Sequence, residues 1–171
     1  MDSASAPIIL LTGATSGIGR AAAFDLARQG AHLLLVARNP EKARQLSREL
    51  IAETGNEQIE LYFADLSVQA DIRQLAHAIQ HKHDRIDVLI NNAGQMLLDR
   101  HTTADGLEYT FALNHLAYYH LTLLLLDQVK AAPAGRIINV SSQAHWMSKL
   151  NFSDLMNERR YDGFKAYGQS K

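Results

Sequence analysis

Ile8-Ile9-Leu10-Leu11-Thr12-Gly13-Ala14-Thr15-Ser16-Gly17-Ile18-Gly19 is an unbroken apolar run that gives way to three spaced glycines. A run without polar alternation has the form of a strand buried on both faces. Beyond it, Ile18, Ala22 and Leu26 recur at helical spacing until Gly30, which predicts a C-terminal stop. Strand, glycine turn and helix in that order are the setting of a dinucleotide site. Gly13 permits the sharp turn, Gly17 lets the backbone approach a pyrophosphate, and Gly19 allows close helix packing. The helix N-terminus adds free N–H groups and the positive end of its dipole, so Ser16 and Ile18 join the glycines as candidate cofactor-binding residues. Read alone, three glycines could also be no more than a tight turn.

Outward from this unit the same alternation repeats. Leu33 to Ala37 predicts a second buried strand, and Asn39-Pro40 supplies an N-cap and a first-turn proline ahead of Ala43, Leu46 and Leu50. Gly55 lies past the end of that helix. Ile59, Leu61 and Phe63 form a third strand, and Ser67 is expected to cap a helix whose apolar face is Ile72, Leu75, Ala76 and Ile79. Ile86 to Ile90 predicts a fourth strand, stopping at Asn91-Asn92-Ala93-Gly94. A long helical pattern from about Asp105 to Lys130 ends at Pro133-Ala134-Gly135. Ile137 to Val140 is a fifth strand that runs into Ser141-Ser142. Such βα alternation predicts an α/β fold: a Rossmann-like, doubly wound parallel sheet with helices on both faces and right-handed crossovers. Residues 1–171 are expected to form one dinucleotide-binding domain.

Composition narrows the partners. The 171 residues are 47% hydrophobic and 20% charged, the balance of a soluble globular chain. Seventeen Lys and Arg stand against eighteen Asp and Glu, a formal net charge of -1, so no global field holds nucleic acid or an anionic membrane. The absence of cysteine excludes disulfides, thiolate metal sites and cysteine nucleophiles. Leu123 to Leu126 is too short an apolar run to span a bilayer. Met1-Asp2-Ser3-Ala4-Ser5 has neither the positive nor the apolar region of a signal peptide, and a cytoplasmic location is expected.

The end of the second strand selects the nucleotide. An acidic residue there would hydrogen-bond the adenosine ribose, but the stretch reads Val36-Ala37-Arg38-Asn39, with a guanidinium and no carboxylate. Arg38 can bind a 2′-phosphate that a carboxylate would repel, so NADP is favoured over NAD. The competing reading of Arg38 is a solvated side chain ahead of a helix.

These motifs together resemble the short-chain dehydrogenase/reductase family, in its non-extended branch with the spacing TGxxxGxG. Asp65-Leu66 matches that family's adenine-contacting pair, and Asn92-Ala93-Gly94 lies in its NNAG segment. Asn114 matches the active-site asparagine, Ser142 the catalytic serine, and Tyr167 and Lys171 the YxxxK pair. By the resemblance, Tyr167 and Lys171 also contact the cofactor. The stretch Arg136-Ile137-Ile138-Asn139-Val140-Ser141-Ser142-Gln143-Ala144-His145 and the lengthened segment from Trp146 to Phe164 are similar to retinol-dehydrogenase-like members. The resemblance implies an NADP-dependent oxidoreductase acting on a small-molecule alcohol or carbonyl compound, and leaves a homo-oligomer open.

The residues themselves carry the chemistry. Tyr167 and Lys171 are four apart and share a helix face. A free phenol titrates near pH ~10, and a neighbouring ammonium lowers that value toward the range where proton transfer works. Ser142 can polarise the substrate oxygen. Asn114, by the resemblance, holds a water that links Lys171 to solvent.

Other polar residues are given plainer roles. His77, His81 and His83 are expected on a solvated helix face rather than around a metal, because Ile72, Leu75, Ala76 and Ile79 claim the buried side. His115 and His145 should pack or hydrogen-bond locally, Ser141 should be structural, and Trp146 should anchor its loop. Arg20 is left between a phosphate contact and a surface role. Because Lys171 is both the family lysine and the last residue, the chain is expected to be C-terminally truncated, lacking the family's later strands and substrate-binding segment. That expectation keeps a second function open: a dinucleotide-binding fragment without turnover.

Overall fold

Five strands pair in parallel in the order β3-β2-β1-β4-β5: β1 (Ile8–Thr12), β2 (His32–Ala37), β3 (Ile59–Phe63), β4 (Val88–Asn91) and β5 (Arg136–Asn139). The structure, a computed structural model, describes residues 6–171; the signal-peptide reading falls on residues 1–5, outside them. From β1 the chain builds outward through β2 and β3, then returns to the other side of β1 with β4 and β5. The strand order therefore reverses between β1 and β4, where open α/β sheets form their binding crevice.

The apolar strands are apolar throughout because both faces are covered. On one face Leu10, Leu34 and Val36 pack with Ile72, Leu75 and Ile79 of α3 (Gln69–Lys82) and with Leu113, Ala117 and Leu121. On the other, Ile9, Leu11, Leu33 and Leu35 meet Ala23, Phe24 and Ala27 of α1 (Gly17–Arg28) and Leu46 and Leu50 of α2 (Pro40–Thr54). Helix ends follow the local sequence where local chemistry suffices. Asn39 accepts from Lys42 N at 3.0 Å with Pro40 in the first turn, and Gly55 closes α2 in the left-handed conformation.

Three expectations are corrected. Ser67 does not cap α3: its hydroxyl donates to Asp65 Oδ1 at 2.7 Å, and the Gln69 N–H is met by Asp105 Oδ2 at 2.7 Å. An ionised carboxylate is the stronger acceptor, so it replaces the local hydroxyl. Ile86 lies outside β4 because its N–H bonds to Gln128 O at 3.0 Å rather than joining the ladder. The long helical pattern begins at Tyr109, not Asp105, because residues 103–107 close a turn (Gly106 N to Thr103 O, 3.0 Å). It then runs as α4 (Tyr109–Phe111), a π turn (Ala112–Leu116), α5 (Ala117–Leu124) and α6 (Leu126–Lys130). Glu108 starts it, accepting from Thr110 N at 2.8 Å and Phe111 N at 2.7 Å.

A 3-10 turn (Gln143–Met147) and α7 (Gly163–Ser170), capped by Asp162, complete the described elements. Ile138 of β5 is exposed, as are Tyr119 and Leu123 of α5. Among the described residues no helix is long and apolar enough to cross a membrane.

Candidate active site

The carboxyl ends of the strands open into a cavity of about 790 Å³. Each strand end delivers one part of its wall. The loop after β1 brings Gly13, Ser16, Gly17, Ile18 and Gly19; the end of β2 brings Arg38; the loop after β3 brings Asp65 and Leu66. Asn92, Ala93 and Gly94 follow β4, Ser142 follows β5, and α7 presents Tyr167 and Lys171. Every sequence-selected cofactor residue therefore faces one cavity, and so do three of the four catalytic candidates.

The glycine turn is held by the strand beside it. Asn92 Nδ2 donates to Thr12 O at 2.9 Å and Gly13 O at 3.2 Å, while Thr12 Oγ1 accepts from Asn92 N and Ala93 N at 2.9 and 3.0 Å. Gly17 has a φ of 54° and open space where a side chain would stand. A Cβ on Gly19 would overlap Gly13 O and Asn92 Nδ2, which is why the helix can approach the turn only as glycine. Ser16 precedes α1 in extended conformation and makes no side-chain capping bond, and the first intrahelical amide partner is Arg20 N to Ser16 O at 3.1 Å. The earlier N–H groups of α1 thus begin the helix at the cavity wall.

At the other end, Arg38 Nη1 donates to Tyr109 Oη at 2.7 Å and stands 3.9 Å from Asp65 Oδ2, with 61% of its side chain exposed. The Asp65 carboxylate is turned to its own loop, where Oδ1 accepts from Ser67 N and Oγ.

Asn114 stands behind the wall rather than in it. It is buried in the π turn and lines an adjoining cavity of about 420 Å³ with Tyr118, Ser170 and Lys171. Its Oδ1 accepts from Gln95 N at 2.9 Å, and its Nδ2 donates to Gln95 O and Ser170 Oγ at 3.0 and 2.9 Å. Lys171 Nζ donates to Val140 O at 3.2 Å and Tyr118 Oη at 3.3 Å, and burial lowers its pKa. Burial, with Tyr167 adjacent, pushes the Tyr118 hydroxyl above the ordinary phenol range. Ser142 Oγ accepts from Ala144 N at 3.2 Å, and Ser141 Oγ donates to Lys171 O at 3.0 Å.

Tyr109, Tyr118 and Gln95 escaped sequence reasoning. Their partners are Arg38, Lys171 and Asn114, and no local pattern links residues so far apart. His115 stacks on Phe111 and His145 Nδ1 lies 2.6 Å from Ser142 O, both local roles. Arg20 pairs with Glu49 at 2.8 Å and does not line the cavity. Two expectations fail. His83 is buried against Glu60 instead of lying on a solvated face, because α3 ends there and the chain turns inward. Trp146 is 76% exposed and so anchors nothing; its ring meets only that of His145 among described aromatic contacts. Among the described residues no group of three His, Asp or Glu is arranged to hold a metal ion.

Comparison with known proteins adds a family match, a curated relative and two solved structures. The family model described as short chain dehydrogenase matches residues 7–153. Human retinol dehydrogenase 13 is 42% identical over 164 residues, covering 95% of this chain and 50% of that protein. A metagenomic short-chain oxidoreductase solved in complex with NADP superposes with a TM-score of 0.76 at 32% identity, over 96% of this chain and 70% of its own. A short-chain dehydrogenase from Sphingobium yanoikuyae in complex with NADPH gives 0.76 at 31%, over 96% and 60%. The chain spans about half the length of the curated relatives it matches.

Proposed function

The chain belongs to the short-chain dehydrogenase family, and on that premise we propose that it binds NADP and supplies the acid–base residues for hydride exchange with an alcohol or carbonyl compound. One observation carries this reading: the glycine turn, Arg38, Ser142, Tyr167 and Lys171 line a single cavity although they are scattered over the whole chain.

The residues fit the dinucleotide. The open positive-φ position at Gly17 and the start of α1 suit a pyrophosphate, and Arg38 at the far end suits a 2′-phosphate. Asp65 and Leu66, with Ala93 and Gly94, would flank the adenosine half. When bound, the nicotinamide supplies or accepts the hydride. Tyr167 would exchange the proton with the substrate oxygen, and Ser142 would hydrogen-bond that oxygen as its charge changes. Lys171 would place positive charge on the same wall. Asn114 would hold the Gln95 backbone and the Ser170 hydroxyl in place, steadying both ends of that wall.

A second reading, nucleotide binding without turnover, draws on the bonds of Lys171 to Val140 O and Tyr118 Oη, which direct its ammonium toward those groups. Calorimetric titration with NADP, followed by NADPH oxidation over a panel of carbonyl compounds, separates the two. Binding with turnover abolished by Tyr167→Phe supports the enzyme, and binding without turnover supports the second reading. Absence of binding to both NADP and NAD would defeat both.

A further inference from the structure

We infer that Tyr109 is a positioning residue that holds Arg38 for recognition of a 2′-phosphorylated adenosine. The inference rests on the proposed NADP site and adds a residue that acts through Arg38. Tyr109 opens α4, 71 positions from Arg38, yet its hydroxyl accepts from Arg38 Nη1 at 2.7 Å. Its ring packs against the core on the α3 side of the sheet, beneath the cavity it helps to line. Its backbone is equally fixed. Tyr109 N donates to His101 O at 2.9 Å, and the next two amides bind the fully buried carboxylate of Glu108.

Arg38 is the opposite kind of side chain, long and largely exposed. A guanidinium free to sample its rotamers must be ordered when the phosphate arrives, and that ordering weakens binding. A rigid phenol oxygen at 2.7 Å removes part of this cost in advance, since it occupies one of the five N–H donors and leaves the others for an anion. Asp65 is less suited to the task. It stands 3.9 Å away, with one of its oxygens committed to Ser67. NAD has no 2′-phosphate, so it should be indifferent to where Arg38 points.

The test is a double-mutant cycle with Tyr109→Phe and Arg38→Ala, titrating each protein with NADP and with NAD. Tyr109→Phe keeps the packed ring and removes only the oxygen. It should weaken NADP about three- to tenfold, the effect of one modest hydrogen bond, and change NAD less than about twofold. In the Arg38→Ala background the same substitution should leave NADP affinity unchanged. NMR of the nucleotide-free protein gives an independent readout: the Arg38 Nε–H should exchange faster in Tyr109→Phe. Equal losses for both nucleotides would indicate a merely structural role and overturn the inference. So would a loss that persists without Arg38, or an Arg38 signal that does not respond. Wild-type protein that binds neither nucleotide would instead remove the NADP site itself.

Discussion

Replacing Gly13 and Gly17 separately with alanine should separate two reasons for glycine in one loop. Both residues have positive φ, 71° at Gly13 and 54° at Gly17. Each alanine therefore incurs left-handed strain of about 1–2 kcal/mol. Each also gains about 0.4–1 kcal/mol because alanine restricts the unfolded chain. These contributions are similar at the two sites and nearly cancel in the difference. The surroundings are not similar. A Cβ at Gly17 meets nothing within 4 Å, whereas at Gly13 it falls 2.7 Å from Ala93 Cα and 3.0 Å from Ala93 N. Those are backbone atoms of the loop after β4, pinned by Thr12 Oγ1, and they cannot rotate away. Relief requires the two loops to part by several tenths of an ångström, an overpacking cost of about 1–3 kcal/mol. Gly13→Ala should therefore be less stable than Gly17→Ala by about 2 kcal/mol. For a chain of this length that is roughly 4–8 °C in Tm. Urea denaturation followed by circular dichroism measures it directly. Equal stabilities, within about 0.5 kcal/mol, would show that the approach of the glycine turn to Ala93 does not constrain the fold.

The remaining predictions concern charges placed by the fold. Burial alone would raise the Glu60 pKa, but hydrogen bonds from Lys82, Tyr62 and His83 outweigh it and hold the value at about 2. A depressed carboxylate stabilises the protein above its unfolded pKa near 4.5, and that contribution is lost as pH falls from there toward 2. Glu60→Gln should lower neutral-pH stability by about 1 kcal/mol and flatten that part of the acid limb, as read from urea midpoints against pH. An unchanged acid limb would contradict the assignment. Glu108 is fully buried and accepts from Thr110 N, Phe111 N and Tyr161 Oη, so Glu108→Ala should cost about 2–4 kcal/mol in thermal denaturation. A loss below about 1 kcal/mol would mean the cap is replaceable. Arg38→Ala should weaken NADP by about one to two orders of magnitude while leaving NAD nearly unchanged by calorimetry. Parallel losses would remove its role as phosphate reader.

Much of this molecule is local chemistry written along the chain. Asn39, Pro40 and Gly55 bound α2 because caps and left-handed glycines act on neighbours within a turn. The apolar runs of β1 and β2 mark strands covered on both faces, and the glycine spacing marks the loop that follows β1. Where an interaction reached further, periodicity was blind to it. The π turn at Ala112–Leu116 breaks no hydrophobic pattern, so it reads as ordinary helix. His83 occupies a polar-looking helix end, and only the arrival of Glu60 from β3 makes it a buried partner. Trp146 was expected to anchor its loop, yet the fold leaves it 76% exposed.

Sequence alone determined the order of strands and helices, the glycine turn and the residue types set around the cavity, because each depends on spacings of only a few residues. Tertiary structure decided the rest: that Asp105 rather than Ser67 meets the start of α3, that Asn114 stands behind the cavity wall, and that Tyr109 takes hold of Arg38. Those pairings join residues 36 to 71 positions apart, or depend on which way one turn of a helix faces. A hydrogen bond is decided by distances of a few ångströms in space, and chain separation carries no record of them until the sheet has brought its strand ends together.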